Sequence, residues 1–239
     1  MGGVVTPRLV AVIPCWGRGA LEAACLRHHV PLFDAVVVVT SPDDPDTVFA
    51  HYHEGSSERV WWVATPNSPL GAKHSEGMWC ALDSALATHL CVVGSDDFLS
   101  PRYVQALREL AADGVEHAAL LDCYRIDRRT GKARHEVGPE ADMSERVYGS
   151  GRMVSARWLR ACGGWTPDRE RHLDTDLSDR LAAVGAPRVR GLRMADAGPV
   201  CFTTGVVNLW PRWSAHSRPV DADDVRKAVG MCEDVTGLG

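Results

Sequence analysis

Two adjacent carboxylates, Asp96 and Asp97, follow the apolar run Leu90-Cys91-Val92-Val93 and precede Ser100-Pro101. Neighbouring oxygen ligands of this kind suit a hard divalent cation, Mn²⁺ or Mg²⁺, whereas zinc favours nitrogen and sulfur. Such a cation holds a diphosphate and neutralises the charge that grows on it as a leaving group. The plainer alternative makes the two acids a turn before a helix that Ser100 caps and Pro101 opens.

The elements that would position these acids are legible as apolar runs. Leu9 to Pro14, Asp34 to Thr40, Val60 to Ala64 and Leu90 to Val93 read as strands buried on both faces. Helical segments fall between them, at Ala20 to His29 and Gly71 to Thr88, with another from Pro101. Strand and helix alternating over short connections predict a mostly parallel sheet with right-handed crossovers. In such a sheet, acids at the carboxyl end of a central strand lie where ligands bind. Beyond this region a strand is expected at Ala118 to Cys123 and a polar hairpin at Tyr124 to Arg134. Helices are expected at Arg152 to Ala161 and Thr175 to Val184. The segment from Ala197 reads as irregular up to a short helix from Asp221.

Composition narrows the classes. The 239 residues are 45% hydrophobic and 24% charged, with a mean hydropathy of −0.14, as in ordinary globular proteins. No apolar run is long enough to span a bilayer, and no signal-peptide core opens the chain. Eight cysteines are scattered without zinc-like spacing, so reduced core thiols and a cytoplasmic location are expected. Net charge is −5, but residues 1–124 hold 7 Lys+Arg against 15 Asp+Glu, and residues 125–239 hold 19 against 16. The two halves of one body are thus expected to meet different partners.

Four features together resemble the small glycosyltransferases of the GT-A fold, most similar to the family-two type. They are Val-Ile-Pro-Cys-Trp-Gly-Arg at residues 12–18, Ser-Pro-Asp-Asp at 41–44, Gly71-Ala72-Lys73-His74, and Val-Gly-Ser-Asp-Asp-Phe-Leu-Ser-Pro at 93–101. Leu173-Asp174-Thr175-Asp176-Leu177, followed by Arg180, resembles the acidic segment that supplies the family's catalytic base. Two positions depart from the pattern. The family's first Asp-x-Asp acid falls on Gly94, leaving Asp96 and Asp97 to carry the metal together, and the Glu before the base falls on Leu173.

The resemblance implies a nucleotide-sugar-binding, Rossmann-like α/β sheet. Residues 1–124 would form its donor half, and residues 125–239 an Arg- and Trp-rich acceptor half of the same domain. It implies a metal-dependent, inverting transfer from a nucleotide sugar to an acceptor hydroxyl. Donor contacts are expected from Pro14, Trp16, Arg18, Asp43, Asp44, Lys73, Ser95 and Asp96, with Lys73 near the diphosphate at a helix N-terminus. Metal ligands are expected at Asp96, Asp97 and His216, with Arg212 and Arg218 flanking the histidine. Asp174 is the expected general base, with Asp176 as the other choice and His172 behind both.

The Gly-Ser-Asp-Asp form resembles small phage-borne transferases, including relatives that glycosylate hydroxymethylated DNA bases. A DNA acceptor would suit the 15 Lys+Arg against 10 Asp+Glu of residues 125–193. Trp158, Trp165, Trp210 and Trp213 would then offer stacking faces. A glycan, a lipid-linked molecule or a small molecule is the alternative acceptor. A non-catalytic sugar-nucleotide-binding module is the alternative to an enzyme. A nucleotidyltransferase would want a Gly-x-Gly-Thr-Arg-like loop after the first strand, and Cys15-Trp16-Gly17-Arg18 does not supply one.

Overall fold

The computed structural model describes residues 6–52, 58–137, 147–204 and 217–231. The elements run in the order β1 (Leu9–Pro14), α1 (Gly19–His29), β2 (Ala35–Thr40), β3 (Val60–Ala64), α2 (Leu70–Trp79), β4 (His89–Val92), β5 (Asp97–Leu99), α3 (Pro101–Ala112), β6 (His117–Leu120). They continue with β7 (Cys123–Asp127), β8 (Ala133–Glu136), β9 (Met153–Ser155), α4 (Ala156–Cys162), α5 (Leu173–Ala183), β10 (Arg190–Leu192), α6 (Met194–Ala197), β11 (Val200–Thr204), β12 (Ser217–Val220) and α7 (Ala222–Val229).

Seven strands form the main sheet in the order β10-β6-β9-β4-β1-β2-β3. It is parallel except for β9, which runs antiparallel to both β4 and β6. The unbroken apolar runs of β1, β2 and β4 follow from burial on both faces, whereas β3, expected to be buried likewise, is the edge strand and leaves Trp61 and Ala64 exposed. Leu9, Ala11 and Ile13 of β1 join a core with α1 and α3, while Val10 and Val12 face α2, α4 and α5. Each fully buried Val, Leu or Ile side chain contributes about 1.5–3 kcal/mol through lost water contact. A five-stranded sheet, β12-β8-β7-β11-β5, packs Ile126, Ala133 and Cys201 against Val225 and Val229 of α7.

Several elements differ from the sequence expectation. The helix from Leu70 is α-helical only to Trp79 and closes through a wider turn, Cys80–Ser84, before Thr88 hydrogen-bonds Arg8 ahead of β4. The strand expected at Ala118 to Cys123 breaks at Leu121-Asp122, where the chain leaves one sheet for the other. The Asp122 carboxylate accepts the Met194 amide there at 2.8 Å. Residues 153–155, expected as helix, are the buried strand β9, because Met153 and Val154 fill the gap between β4 and β6. The segment after Ala197 is not irregular throughout: β11 lies between β5 and β7.

The boundary expected at residue 124 does not divide the sheets, since β9 and β10 return to the first sheet and β5 belongs to the second. All seven described cysteines are free, six of them buried; Cys232 lies outside the described residues. Among the described residues, no helix is long and apolar enough to cross a membrane.

Candidate active site

Parallel pairing brings the carboxyl ends of β1, β2 and β4 to one edge of the main sheet, and most of the candidate residues gather there. After β1, the chain turns through Trp16-Gly17-Arg18 into α1, with Gly17 at φ 68°, a conformation open to glycine. Carboxylates hold this turn. Trp16 N–H donates to Glu22 Oε1 at 2.5 Å, Gly17 N–H to Asp44 Oδ1 at 2.9 Å, and Gly19 N–H to Asp46 Oδ2 at 2.9 Å. The Arg18 guanidinium forms an ion pair with Asp96 and donates to Ser95 Oγ at 3.0 Å.

The acidic turn sits opposite. Asp97 N–H donates to Gly94 O at 3.0 Å, closing a β-turn, while Thr203 of β11 donates to Asp96 O through its amide and its hydroxyl. Gly94 has no side chain for a spatial reason. The Asp97 carboxylate fills the place where a Cβ would stand, and Asp96 Oδ1 lies 3.4 Å from that point. Both carboxylates are therefore gathered at one spot, and both residues are buried.

Burial raises the pKa of both acids. Asp97 is pushed further by the charge of Asp96, while Arg18, and more weakly Arg128, draw Asp96 back down. Two desolvated carboxylates facing one bonded arginine remain short of positive charge, and their oxygen donors fit Mn²⁺ or Mg²⁺. Asp96 and Asp97 would hold such an ion. Among the described residues, no group of three His, Cys, Asp or Glu side chains forms a metal cluster. His216, the expected third ligand, lies outside the described residues, as do Arg212, Trp210 and Trp213. Arg218 is described and lies exposed on β12.

The helix carrying Asp174 starts two residues earlier than expected, so Asp174 lies in the first turn of α5 and His172 takes the cap position with φ 59°. The Asp174 carboxylate packs against the Cα of Gly149, leaving no room there for a larger residue. The next residue, Ser150, accepts the Gly94 amide at 3.0 Å and bonds the Asp97 carboxylate. One glycine-serine pair thus backs Asp174 and buttresses the acidic turn.

Below Asp174, Arg152 is fully buried. It donates to the Asp174 carbonyl at 3.0 Å, to Ser178 Oγ at 3.1 Å and to His117 Nε2 at 2.9 Å. Burial and the arginine charge hold His117 down at about 3, a neutral ring able to accept that bond. Asp174 keeps an opening to solvent, yet the protein packed around its carboxyl raises its pKa, with Arg152 opposing.

Other expected site residues are used differently. Both Asp176 oxygens accept from Thr166, through its amide and its hydroxyl, each at 2.7 Å, and Arg169 lies 3.3 Å away. Asp176 is a staple for the Gly163–Thr166 loop, and its carboxylate is already occupied. Lys73 is buried, and its ammonium donates to Cys15 O, Ser41 Oγ (2.9 Å) and Asn67 Oδ1 (3.0 Å), which exhausts its three donors. It therefore braces the loops after β1, β2 and β3 where contact with a diphosphate was expected. Asp43 is exposed in the turn after β2, Pro14 ends β1 half-buried, and Ser95 is buried beneath Arg18. Trp165 is buried against His74, and Trp158 donates to Glu116 at 2.7 Å beneath Arg157, so both serve packing.

Four residues of the site were missed: Glu22, Gly149, Ser150 and Arg152. Glu22 left one signal, a single charge in the run Ala-Leu-Glu-Ala-Ala-Cys-Leu on a helix whose neighbouring positions are buried.

The chain matches no family model and no curated protein. Among solved structures it is similar to S. aureus TarS 1–349, with a TM-score of 0.63 and 12% identity over 82% of this chain and 60% of that one. TarS 1–349 in complex with UDP-GlcNAc matches with a TM-score of 0.61 and 14% identity, over 87% of this chain and 60% of that one. Glucosyl-3-phosphoglycerate synthase from Mycobacterium tuberculosis, in complex with Mn²⁺, UDP and phosphoglyceric acid, gives 0.54 and 14%, over 83% and 71%. The chain spans about 60% of the length of TarS 1–349. At these identities the likeness is one of architecture, and the architecture is that of the GT-A glycosyltransferases, a central α/β sheet of Rossmann-like form.

Proposed function

We propose that this protein is a metal-dependent, inverting glycosyltransferase that moves a sugar from a nucleotide-sugar donor to an acceptor hydroxyl. One observation carries the reading: Gly149-Ser150 ties the carboxylate of Asp174 and the acid pair Asp96-Asp97 to the same short segment. A proton acceptor and a diphosphate-holding pair are the two parts that such a transfer needs, one on each side of the anomeric carbon. Neighbours of the same fold bound to UDP-GlcNAc, or to UDP with Mn²⁺, support the donor class and the cation.

In this reading residues 1–124 chiefly hold the donor, and the acceptor enters against residues 125–239. Trp16, Arg18, Asp44 and Ser95 line the donor side. Asp96 and Asp97 would hold a divalent ion, which when bound would neutralise charge on the departing diphosphate. Arg18, already seated on Asp96, holds that carboxylate in place. Asp174 takes the proton of the acceptor hydroxyl as the hydroxyl attacks the face of the sugar opposite the diphosphate, which inverts the anomeric carbon. The raised pKa of its carboxyl makes Asp174 a stronger base than a free aspartate. Asp176 is set aside for this role because Thr166 and Arg169 occupy its oxygens.

For the acceptor, we place a hydroxymethylated DNA base first. Exposed Arg171, Arg188 and Arg190 in the second half are suited to phosphates.

The test is an incubation with Mn²⁺, a panel of nucleotide sugars, and hydroxymethylated DNA, glycan or small-molecule acceptors, read by mass shift. Asp174→Asn should bind the donor like the wild type and lose about 10²–10⁴-fold in transfer. Transfer to a glycan or small molecule but not DNA would overturn the acceptor assignment alone. Saturable donor binding with neither transfer nor donor hydrolysis would make the protein a binding module.

A further inference from the structure

One short segment, Gly149 to Arg152, grips the first turn of α5, which carries Asp174. Arg152 N–H donates to Gly149 O at 3.3 Å and closes the segment into a turn. At one end of this turn Gly149 lies against the Asp174 carboxylate. At the other, Arg152 Nη1 donates to Asp174 O at 3.0 Å and to Ser178 Oγ, one helical turn on, at 3.1 Å. The backbone of the segment is fixed to the end of β4. Gly151 N–H donates to Val92 O at 2.8 Å, and Val92 N–H to Arg152 O at 3.1 Å. Val92 stands two residues before Gly94, where the acidic turn opens. Arg152 therefore has its backbone on the strand of the acid pair and its side chain on the helix of the base.

An arginine is a costly residue for such a tie. It is buried, and its acceptors are a carbonyl, a hydroxyl and an imidazole, none of them charged. The imidazole of His117 also bonds the Pro187 carbonyl, which fixes the tautomer that leaves Nε2 an acceptor. For folding alone, an apolar side chain of similar size would serve as well or better. Burial draws the pKa of Arg152 down to about 10, so it stays charged at neutral pH. Three titratable groups meet that charge: His117 on β6, Cys162 at the end of α4 and Asp174 on α5. The ring is neutral and burial keeps the thiol protonated, which leaves Asp174 as the anion of the three. The packing around its carboxyl favours the protonated form, and Arg152 opposes that.

We propose that Arg152 is a positioning residue for the transfer: it registers Asp174 against the acid pair and supplies the positive charge that keeps the base ionised. The inference rests on the role given to Asp174 above and adds to it what sets the place and the charge of the base.

The experiment compares the full chain with Arg152→Met, which keeps the bulk without the charge, and Arg152→Lys, which keeps the charge without the fork. Initial rates are followed from pH 5 to pH 9, for transfer between the donor and acceptor that the mass-shift panel identifies, or for donor hydrolysis where water is the acceptor. Donor affinity is measured by calorimetry with Mn²⁺. Removing the cation raises the pKa of Asp174, so the acid limb of kcat/KM should move up by about one pH unit in Arg152→Met. Its kcat on the plateau should fall about tenfold or more, with donor affinity within about twofold of the wild type. Arg152→Lys should return the acid limb to the wild-type position and recover part of kcat. Should Arg152→Met fail to fold by circular dichroism, Ser178→Ala removes one α5 acceptor of the guanidinium and should lower kcat about threefold or more at unchanged donor affinity.

An acid limb in Arg152→Met at the wild-type pH, or transfer and donor affinity weakened alike, would overturn the assignment and leave the transferase reading standing; so would an unchanged kcat in Ser178→Ala where that variant is needed. Neither transfer nor donor hydrolysis by the wild type would overturn the transferase reading and this inference with it.

Discussion

At the scale of single residues, the site depends on carboxylates held against their preference for water. Glu22 illustrates the cost. Burial, aided by Asp44, pushes its pKa up to about 7 against the pull of the Trp16 amide, Arg18 and Lys73. An unfolded glutamate titrates near about 4.3, so the folded form binds this proton more tightly. Stability is therefore highest below about pH 4.3 as far as this group is concerned, falls as pH rises towards 7, and is level above. Glu22→Gln should remove that dependence. Chemical denaturation from pH 5 to pH 8 should show the variant gaining on the wild type by up to about 3 kcal/mol. A constant difference across that range would refute the assignment. Gly94 makes a related point, since the lack of a side chain is what lets Asp97 fold back beside Asp96. The position looked like a lost acid in the sequence, and in the structure it is room for another one.

At the scale of elements, short connections do most of the positioning. The turn after β1 is shaped by acids from α1 and from the loop after β2, and the acidic turn by Ser150 and Thr203. The Gly163–Thr166 loop is tied to α5 by Asp176, through two bonds of 2.7 Å to Thr166, and by Arg180, which donates to Gly164 O at 2.6 Å. Asp176→Ala leaves the Thr166 amide and hydroxyl without that acceptor and should cost about 1–3 kcal/mol in urea unfolding. If Asp176 were instead the base, the variant would keep its stability and lose transfer. Both strand starts and helix ends near the site departed from the sequence pattern for this kind of reason. β9 reads as the start of a helix because three residues carry no periodicity, and only the gap between β4 and β6 makes them a strand.

At the scale of the whole molecule, the acidic turn joins the two sheets: it follows β4, the central strand of the first, and leads into β5, an edge strand of the second. A cation bridging Asp96 and Asp97 would bind only when both sheets are formed, so it should stabilise the entire fold. At a metal concentration a hundredfold above Kd the gain is about 2.7 kcal/mol. For a chain of this size that corresponds to a rise in Tm of roughly 5–10 °C. Thermal melts with Mn²⁺, reversed by a chelator and absent in the double variant Asp96→Asn, Asp97→Asn, would bear this out. A wild-type Tm indifferent to Mn²⁺ and Mg²⁺ would remove the metal from the mechanism and leave Arg18 as the counter-charge.

The sequence by itself determined the parallel core and the position of the acid pair. Both are written locally, in unbroken apolar runs and in the residues that end them. Leu9–Pro14 and Val60–Ala64 coincide with their strands, and Ser100 caps α3 as its type and spacing require, accepting Tyr103 N–H at 3.2 Å. Only the tertiary structure decided which charged side chains are free to act. Lys73 and Asp176 looked as available as Asp174 until residues from other loops and elements took up their polar atoms. Glu22 and Arg152 drew no notice until burial gave them weight. Whether a carboxylate is bonded, paired or left open depends on what the folded chain brings within about 3 Å of it, and no local pattern encodes that distance.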